Sequence, residues 1–435
     1  MDLRRKISFI FVFVLSVVLS SLFPNQTLAA EDGQLNLNVK SAILIDAKTG
    51  KILYKKNENL PLPPASMTKM MTEYLVMESL SKGKITWDDP VTTSDYGFFI
   101  ASKKDSSGVF LNLGEKRTVR ELYEAMAIYS ANDATVMLAE YIAGTEENFV
   151  RMMNEKAKEF GMDNTHFLTS TGFPVDELGD FKPNIEGKHY MSAKDAAILA
   201  RRLITDYPEV LSISSIPRKW FREGEREAID MINWNWLLPG LKYTYEGADG
   251  LKTGYTAEAG YNFTATAQRG GLRLISVITG AETIDTRFEE TKKLLNYGFN
   301  NFELVEMVPS GSQISGNEVA PVNKGKKLSV EVETKSPLMV LVKKGEKELY
   351  QPEVNFDQSK LTAPIQKGDV LGEIRFTYSG EGKTSFLTPL DEQLNKVELV
   401  AKENVERASW IRLFFRAIKD FTEGIFSGIV ESISG

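Results

Sequence analysis

The order of the elements predicts an α/β chain of the α+β kind. Residues 42–54, AILIDAKTGKILY, read as two short strands around a Lys-Thr-Gly turn. Helical patterns follow to about Ile204, strand patterns return after Gly250, and "TRFEETKKLLNYGF" is helical again. Strands at both ends with helices between predict one antiparallel sheet, packed by the last helix, with a helical subdomain inserted. From about residue 305 the texture changes to short alternating strands, "KLSVEVETK", "LMVLVKK" and "VLGEIRFTY", which predict a small all-β domain. Between Trp410 and Ile433 a stripe of Trp410, Phe414, Ile418, Phe421, Ile425, Ile429 and Ile433 predicts an amphipathic helix. The expected divisions are therefore 1–30, 31–304, 305–398 and 403–435.

The first division reads as a targeting segment. Arg4, Arg5 and Lys6 precede an apolar run from Ile7 to Leu22, Pro24 breaks it, and Ala29 and Ala30 offer small residues to a peptidase. The competing reading is an uncleaved membrane anchor, since the run approaches spanning length. Export sets the expected compartment. The chain has no cysteine, which excludes disulfides, thiol catalysis and zinc-thiolate sites. Lys plus Arg number 52 against 59 Asp plus Glu, so no nucleic-acid partner is expected.

Within 31–304, "PPASMTKMMTEYLVME" reads as a buried helix starting near Pro64, with Met67, Met70, Met71, Tyr74, Leu75 and Met77 mostly at helical intervals. Thr118 and Glu121 are spaced as a capping box for a helix ending near Ser130. Further helices are expected over Asp133–Ile142 and Asn148–Phe160, and from Ser192 with Asp195 to about Ile204. Gly270-Gly271 reads as the turn between "YNFTATAQ" and "LRLISVITG".

Three short pieces carry chemistry. Ser66 and Lys69 lie three apart in a helix start, hence on one face, where orphan N–H groups and the helix dipole favour an oxyanion. A serine hydroxyl needs a base beside it, and a lysine serves only with a lowered pKa. Spacing alone is weak, because Ser79/Lys82 and Ser81/Lys84 share it on what reads as a solvated helix end. The second piece is Ser130 with Asn132 at a helix break, able to relay a proton and hold an amide, or merely to punctuate helices. The third is Lys252, Thr253 and Gly254 opening a β-rich run: a cation beside Lys69, a carboxylate-holding hydroxyl, and room against a strand edge. Its decoy, Lys48-Thr49-Gly50, is explained by a hairpin turn.

Together, Ser-x-x-Lys, Ser-x-Asn and Lys-Thr-Gly in that order are the signature of penicillin-recognising serine enzymes. With "NTHFLTSTGF", "DGLKTGYT" and "RFEETKKLLNYGF", the chain resembles the S11 D-alanyl-D-alanine carboxypeptidases, the low-molecular-mass penicillin-binding proteins, over nearly its whole length. The resemblance implies a serine β-lactamase/transpeptidase-like domain. Residue by residue it implies that Ser66 is acylated, Lys69 is its base and Ser130 passes a proton to the leaving D-alanine. Asn132 would orient the substrate amide. Lys252, Thr253 and Arg287, the last in "DTRFEE", would engage the terminal carboxylate. The N–H groups of Ser66 and Tyr255 would form the oxyanion hole. No metal or cofactor is implied, and His166 and His189 are expected to be structural. The implied partners are peptidoglycan stem peptides ending in D-Ala-D-Ala, β-lactams, and the outer face of the cytoplasmic membrane through the last helix. A secreted β-lactamase, a D,D-endopeptidase and a non-catalytic penicillin sensor are the rival readings. Against the first, no Glu-x-x-Leu-Asn stretch lies between Asn132 and Lys252; against the last, the catalytic set is intact.

Overall fold

The computed structural model describes residues 35–104, 106–380 and 384–419. The expected targeting segment, residues 1–30, and the part of the expected amphipathic stripe beyond Lys419 lie outside the described residues.

The Asp46 carboxylate closes the first hairpin, accepting from the N–H of Thr49 (2.9 Å) and its hydroxyl (2.6 Å), while Gly50 supplies φ +68°. Lys48-Thr49-Gly50 is thus a turn. The flanking strands, Ser41–Asp46 and Lys51–Lys56, enter a six-stranded antiparallel sheet with Leu272–Ala281, Gly260–Arg269 and Ala248–Thr256, in that spatial order after Ser41–Asp46. Ile45 faces Ile275 across the ladder, so the two ends of the catalytic region are joined at the sheet centre. Alternation then sorts the side chains. Leu44 and Leu274 meet Gly298 of the helix Ile284–Asn301 on one face. Ile43, Ile45, Ile275 and Val277 join the helical core on the other.

The helix Lys69–Ser81 runs through that core and is buried nearly all round from Lys69 to Met77. A helix apolar on every side belongs inside a domain, and this one carries Lys69, Thr72 and Glu73 inside with it. Around it stand Val119–Tyr129, Asn132–Ala143, Glu146–Glu159 and Ala193–Asp206. The capping box of Thr118 and Glu121 is formed in both directions. Ser192 caps through the N–H of Asp195. One helix starts earlier than its pattern predicts, because Thr145 accepts from the N–H of Asn148 and caps it at Glu146.

The strands Phe302–Val308 and Leu338–Lys343 form a pair. Val319–Pro321, Ser329–Thr334, Lys396–Ala401, Val370–Tyr378 and Tyr350–Phe356 form a five-stranded sheet. The regions share an aliphatic core. Pairing continues past Ala401: Val405 is buried and bridges Ile365, and Arg407 bridges Gly325. Helix begins at 410 and runs to the last described residue, 419. At the junction with the catalytic region, Ser385–Phe386 adds a sixth strand beside Lys51–Lys56, and Leu387 enters the helical core. Arg201 pairs with Asp391 at 2.6 Å, and Lys51 Nζ donates to the Tyr350 hydroxyl at 2.9 Å.

Candidate active site

Ser66 lies on a 3-10 turn, Ala65–Thr68, rather than on the α-helix proper, which begins at Lys69. Ala65 holds φ +50°, a strained value for a residue with a Cβ. The turn is clamped on both sides by glycines. A Cβ on Gly172 would come within 1.9 Å of the Ala65 carbonyl oxygen, and one on Gly254 within 2.6 Å of that of Pro64 and 3.2 Å of the Ser66 nitrogen. Gly254 therefore serves first to let the edge strand approach the serine turn; the room it leaves is taken by backbone.

Lys69 is fully buried, with Nζ 3.0 Å from Ser66 Oγ, 2.6 Å from Asn132 Oδ1 and 2.9 Å from the Thr171 carbonyl oxygen. The last two groups only accept. They use both hydrogens of a neutral amine and leave its lone pair for the serine hydroxyl, which then donates to Nζ. Burial holds Lys69 well below the ordinary lysine range, and the charge of Lys252 lowers it further.

Ser130 caps the helix Val119–Tyr129 in the left-handed conformation, φ +62°, and lines the same cleft as Ser66. Asn132 opens the next helix; its N–H donates to the Ser107 carbonyl (2.7 Å) and its Nδ2 to Ser106 Oγ (2.9 Å). Its carboxamide thus positions Lys69 as well as facing the cleft. Lys252, Thr253 and Gly254 lie on the edge strand Ala248–Thr256, Lys252 and Thr253 being buried. Lys252 is lowered to about 8, chiefly by burial, with the Glu73 charge opposing and Arg287 adding to the fall. Arg287 is buried under the cleft wall, its guanidinium 5.5 Å from the Tyr261 ring on which Tyr255 stacks. Its Nε is buried without a hydrogen-bond partner among the described residues. All nine residues singled out in the sequence are drawn to one place. Ser66, Ser130, Asn132, Thr253, Gly254, Tyr255 and Arg287 line a cleft of about 830 Å³, with Lys69 and Lys252 behind it.

Sequence reading missed Glu73. It is buried one helical turn past Lys69, 3.5 Å from the hydroxyl of buried Tyr123, and its carboxyl is pushed up to about 7 by burial against the pull of Lys252. An i, i+4 spacing to Lys69 was the available signal. Glu146 was missed too: its carboxylate takes the N–H and hydroxyl of Ser170, fixing the loop whose Thr171 carbonyl holds Lys69. His189 is half-buried, accepts from the Leu168 N–H at 3.3 Å and so donates through Nε2 to Thr68 Oγ1 at 2.9 Å. His166 donates to the Lys188 carbonyl. Among the described residues no group of three His, Cys, Asp or Glu is placed to hold a metal ion.

A family model described as D-alanyl-D-alanine carboxypeptidase matches residues 26–283, and one described as the penicillin-binding protein 5 C-terminal domain matches residues 302–407. The chain is 37% identical over 406 residues to the D-alanyl-D-alanine carboxypeptidase DacF of Bacillus subtilis, covering 92% of this chain and 95% of that one. To DacA of Escherichia coli it is 33% identical, covering 82% and 83%. The structure resembles PBP3 of Streptococcus pneumoniae, a peptidoglycan synthesis regulatory factor, with TM-score 0.73, 32% identity, and 85% and 99% of the chains covered. It also resembles ampicillin-bound penicillin-binding protein D2 of Listeria monocytogenes, with TM-score 0.52, 33% identity, and 61% and 98% covered. With the serine, the two lysines and the edge strand brought together as described, the chain belongs to the S11 family of D-alanyl-D-alanine carboxypeptidases.

Proposed function

We propose that the protein is a serine D,D-carboxypeptidase that removes the terminal D-alanine from peptidoglycan stem peptides through a Ser66 acyl-enzyme. The observation that carries this is the coordination of Lys69, whose two acceptor-only partners leave a lone pair aimed at Ser66 Oγ. Lys69 takes the hydroxyl proton as Oγ attacks the carbonyl carbon of the penultimate D-alanine. The oxyanion is received by the N–H groups of Ser66 and Tyr255, on a turn and an edge strand held together by Gly254. The C–N bond then breaks, and the departing amine takes a proton through Ser130. The free carboxylate of that D-alanine rests among Lys252, Thr253 and Arg287. Water next attacks the acyl carbon with Lys69 again as base, freeing the shortened peptide and Ser66.

A β-lactam places a strained amide before the same hydroxyl, as the ampicillin-bound relative suggests. Removing terminal D-alanine would limit cross-linking of the wall. The test is incubation of the protein with a peptide ending in D-Ala-D-Ala. Free D-alanine and penicillin label on the Ser66 peptide are expected; label on another serine would overturn the assignment.

The same reading places the enzyme outside the cytoplasmic membrane, exported by residues 1–30 and held peripherally by its last helix. Trp410, Phe414, Phe415 and Ile418 are all exposed there, as an interfacial helix requires. Arg416 is otherwise engaged: its guanidinium donates to the carbonyls of Gly325 (2.8 Å) and Lys326 (3.1 Å), so it docks the helix instead of facing lipid headgroups. No described helix is long and apolar enough to cross a membrane. Because Val405 belongs to the β-domain core, the helix must be removed by a cut after Ser409 and not near Glu403. The shortened protein should leave vesicle pellets and keep its activity on a soluble peptide; persistent sedimentation would sink the anchoring role.

A further inference from the structure

One side chain of the cleft is displayed against its own preference. Phe110 is 57% exposed and holds φ +52°, a left-handed value that a bulky residue adopts only when its surroundings impose it. The imposition is visible. Buried Asp133 accepts from the N–H of Val109 (3.1 Å) and of Leu111 (3.1 Å). From the other side buried Arg222 donates to the carbonyls of Val109 (2.9 Å) and Phe110 (3.1 Å). Arg222 is itself fixed by Glu115 at 2.7 Å and sits at φ +57°. Two buried ions thus hold three residues so that an apolar ring faces water at the cleft mouth. Burial of that ring inside the protein would have been worth free energy; its exposure fits a surface completed by a ligand.

Its place in the cleft says which part of the ligand. The same loop is tied to Asn132 through Ser106 and Ser107 and lines the cleft from a different element than the edge strand and last helix that carry Lys252, Thr253 and Arg287, the proposed carboxylate site. A peptide with its terminal carboxylate at that cluster and its carbonyl over Ser66 must run its acyl side towards the Asn132 wall. We infer that Phe110 is a specificity-determining residue, a fixed platform for an aliphatic side chain on the residue preceding D-Ala-D-Ala. This rests on the carboxypeptidase reading above.

The test compares acetyl-norleucyl-D-Ala-D-Ala with acetyl-glycyl-D-Ala-D-Ala on the full chain, since they differ only in that side chain. The wild type should prefer norleucine in kcat/KM by about tenfold, the scale of one apolar side chain partly covered. Phe110→Asn keeps a residue that tolerates the left-handed backbone and should bring the ratio to about one, leaving the glycyl peptide within about twofold. Phe110→Leu should retain part of the preference and serves if the asparagine variant folds poorly. A wild-type ratio near one, a ratio untouched by either substitution, or an equal loss on both peptides would overturn the platform. Release of D-alanine from neither peptide by the wild type would instead sink the carboxypeptidase reading on which it stands.

Discussion

The catalytic region and the β domain bury different things. Around Ser66 the interior holds Lys69, Glu73, Asp133, Glu146, Lys252 and Arg287, ionisable groups that burial penalises. Among the described residues beyond Phe302, the buried polar side chains are Thr334 and Asp391, and Asp391 belongs to the junction with Arg201. The β domain keeps its ions in exposed pairs, such as Arg375–Glu353 and Lys335–Glu398, over an aliphatic core. The contrast teaches where electrostatic work is done. One region spends stability to shift proton affinities; the other is a conventional core with a solvated surface.

Breaking the comparison at its strongest point means removing the proposed base. Lys69→Met should slow penicillin acylation by about a thousandfold, while stability changes by only about 1–3 kcal/mol as Asn132 and Thr171 lose a donor. Lys69→Arg should fail comparably, because a guanidinium stays protonated. Labelling kinetics decide the matter; a rate within tenfold of wild type would mean Lys69 supplies only charge.

Two glycines offer a matched steric pair. Gly254→Ala puts a Cβ 2.6 Å from the Pro64 oxygen, and Gly372→Ala puts one 2.5 Å from that of Asn355 in the β domain. The first should cost acylation up to about a hundredfold through displacement of the serine turn. The second should lower the melting temperature and spare the acylation rate. Equal effects on acylation would show that the two regions are mechanically one.

The pH profile sharpens the electrostatic side. The proposed mechanism uses Lys252 as a cation, and it is lowered to about 8, so kcat/KM should fall as pH rises through that value. The same mechanism uses Lys69 neutral, and its shift is downward, so loss of activity at acid pH is expected from its protonation. Lys252→Arg should carry the alkaline limb upward, and an unmoved limb would assign it to another group. His189 gives the corresponding stability signature. Burial lowers it to about 3, so the unfolded chain binds the extra proton between pH 6.5 and 3, and stability falls as pH falls through that window. At pH 5 this one group should cost about 2 kcal/mol, read as the difference in urea unfolding between wild type and His189→Gln. Glu73, raised to about 7, works in the opposite sense, which is why the difference and not the total is diagnostic.

The smallest effect belongs to the β-domain surface. Arg375→Ala should change stability by less than about 1 kcal/mol and acylation not at all. A larger loss would mean that the Arg375–Glu353 pair supports the junction.

Local chemistry was legible in the sequence wherever it repeats over a few residues. The Ser66/Lys69 spacing, the Thr118/Glu121 box and the Gly270-Gly271 turn each needed only their own neighbours. What escaped was set by distant partners. Glu73 looks like any helical glutamate until Tyr123 and Lys252 surround it. The Asp133 and Arg222 clamp on Phe110 joins three segments that no pattern links. The short strand Ser385–Phe386 has no alternation long enough to read, and its partner is more than three hundred residues away. Sequence also placed Ser66 in an α-helical turn, whereas the strained Ala65 and the crowding of Gly172 tighten it to a 3-10 turn.

That short strand has a consequence for self-association. A sheet edge with open N–H and carbonyl groups invites pairing with another molecule, a second copy of the chain included. Here Ser385–Phe386 covers part of one edge. The opposite edge strand, Ala248–Thr256, carries the serine turn against one of its faces at Gly254. The two edges of the sheet are thus finished differently: one is capped by a short added strand, and the other is backed by the turn that holds Ser66.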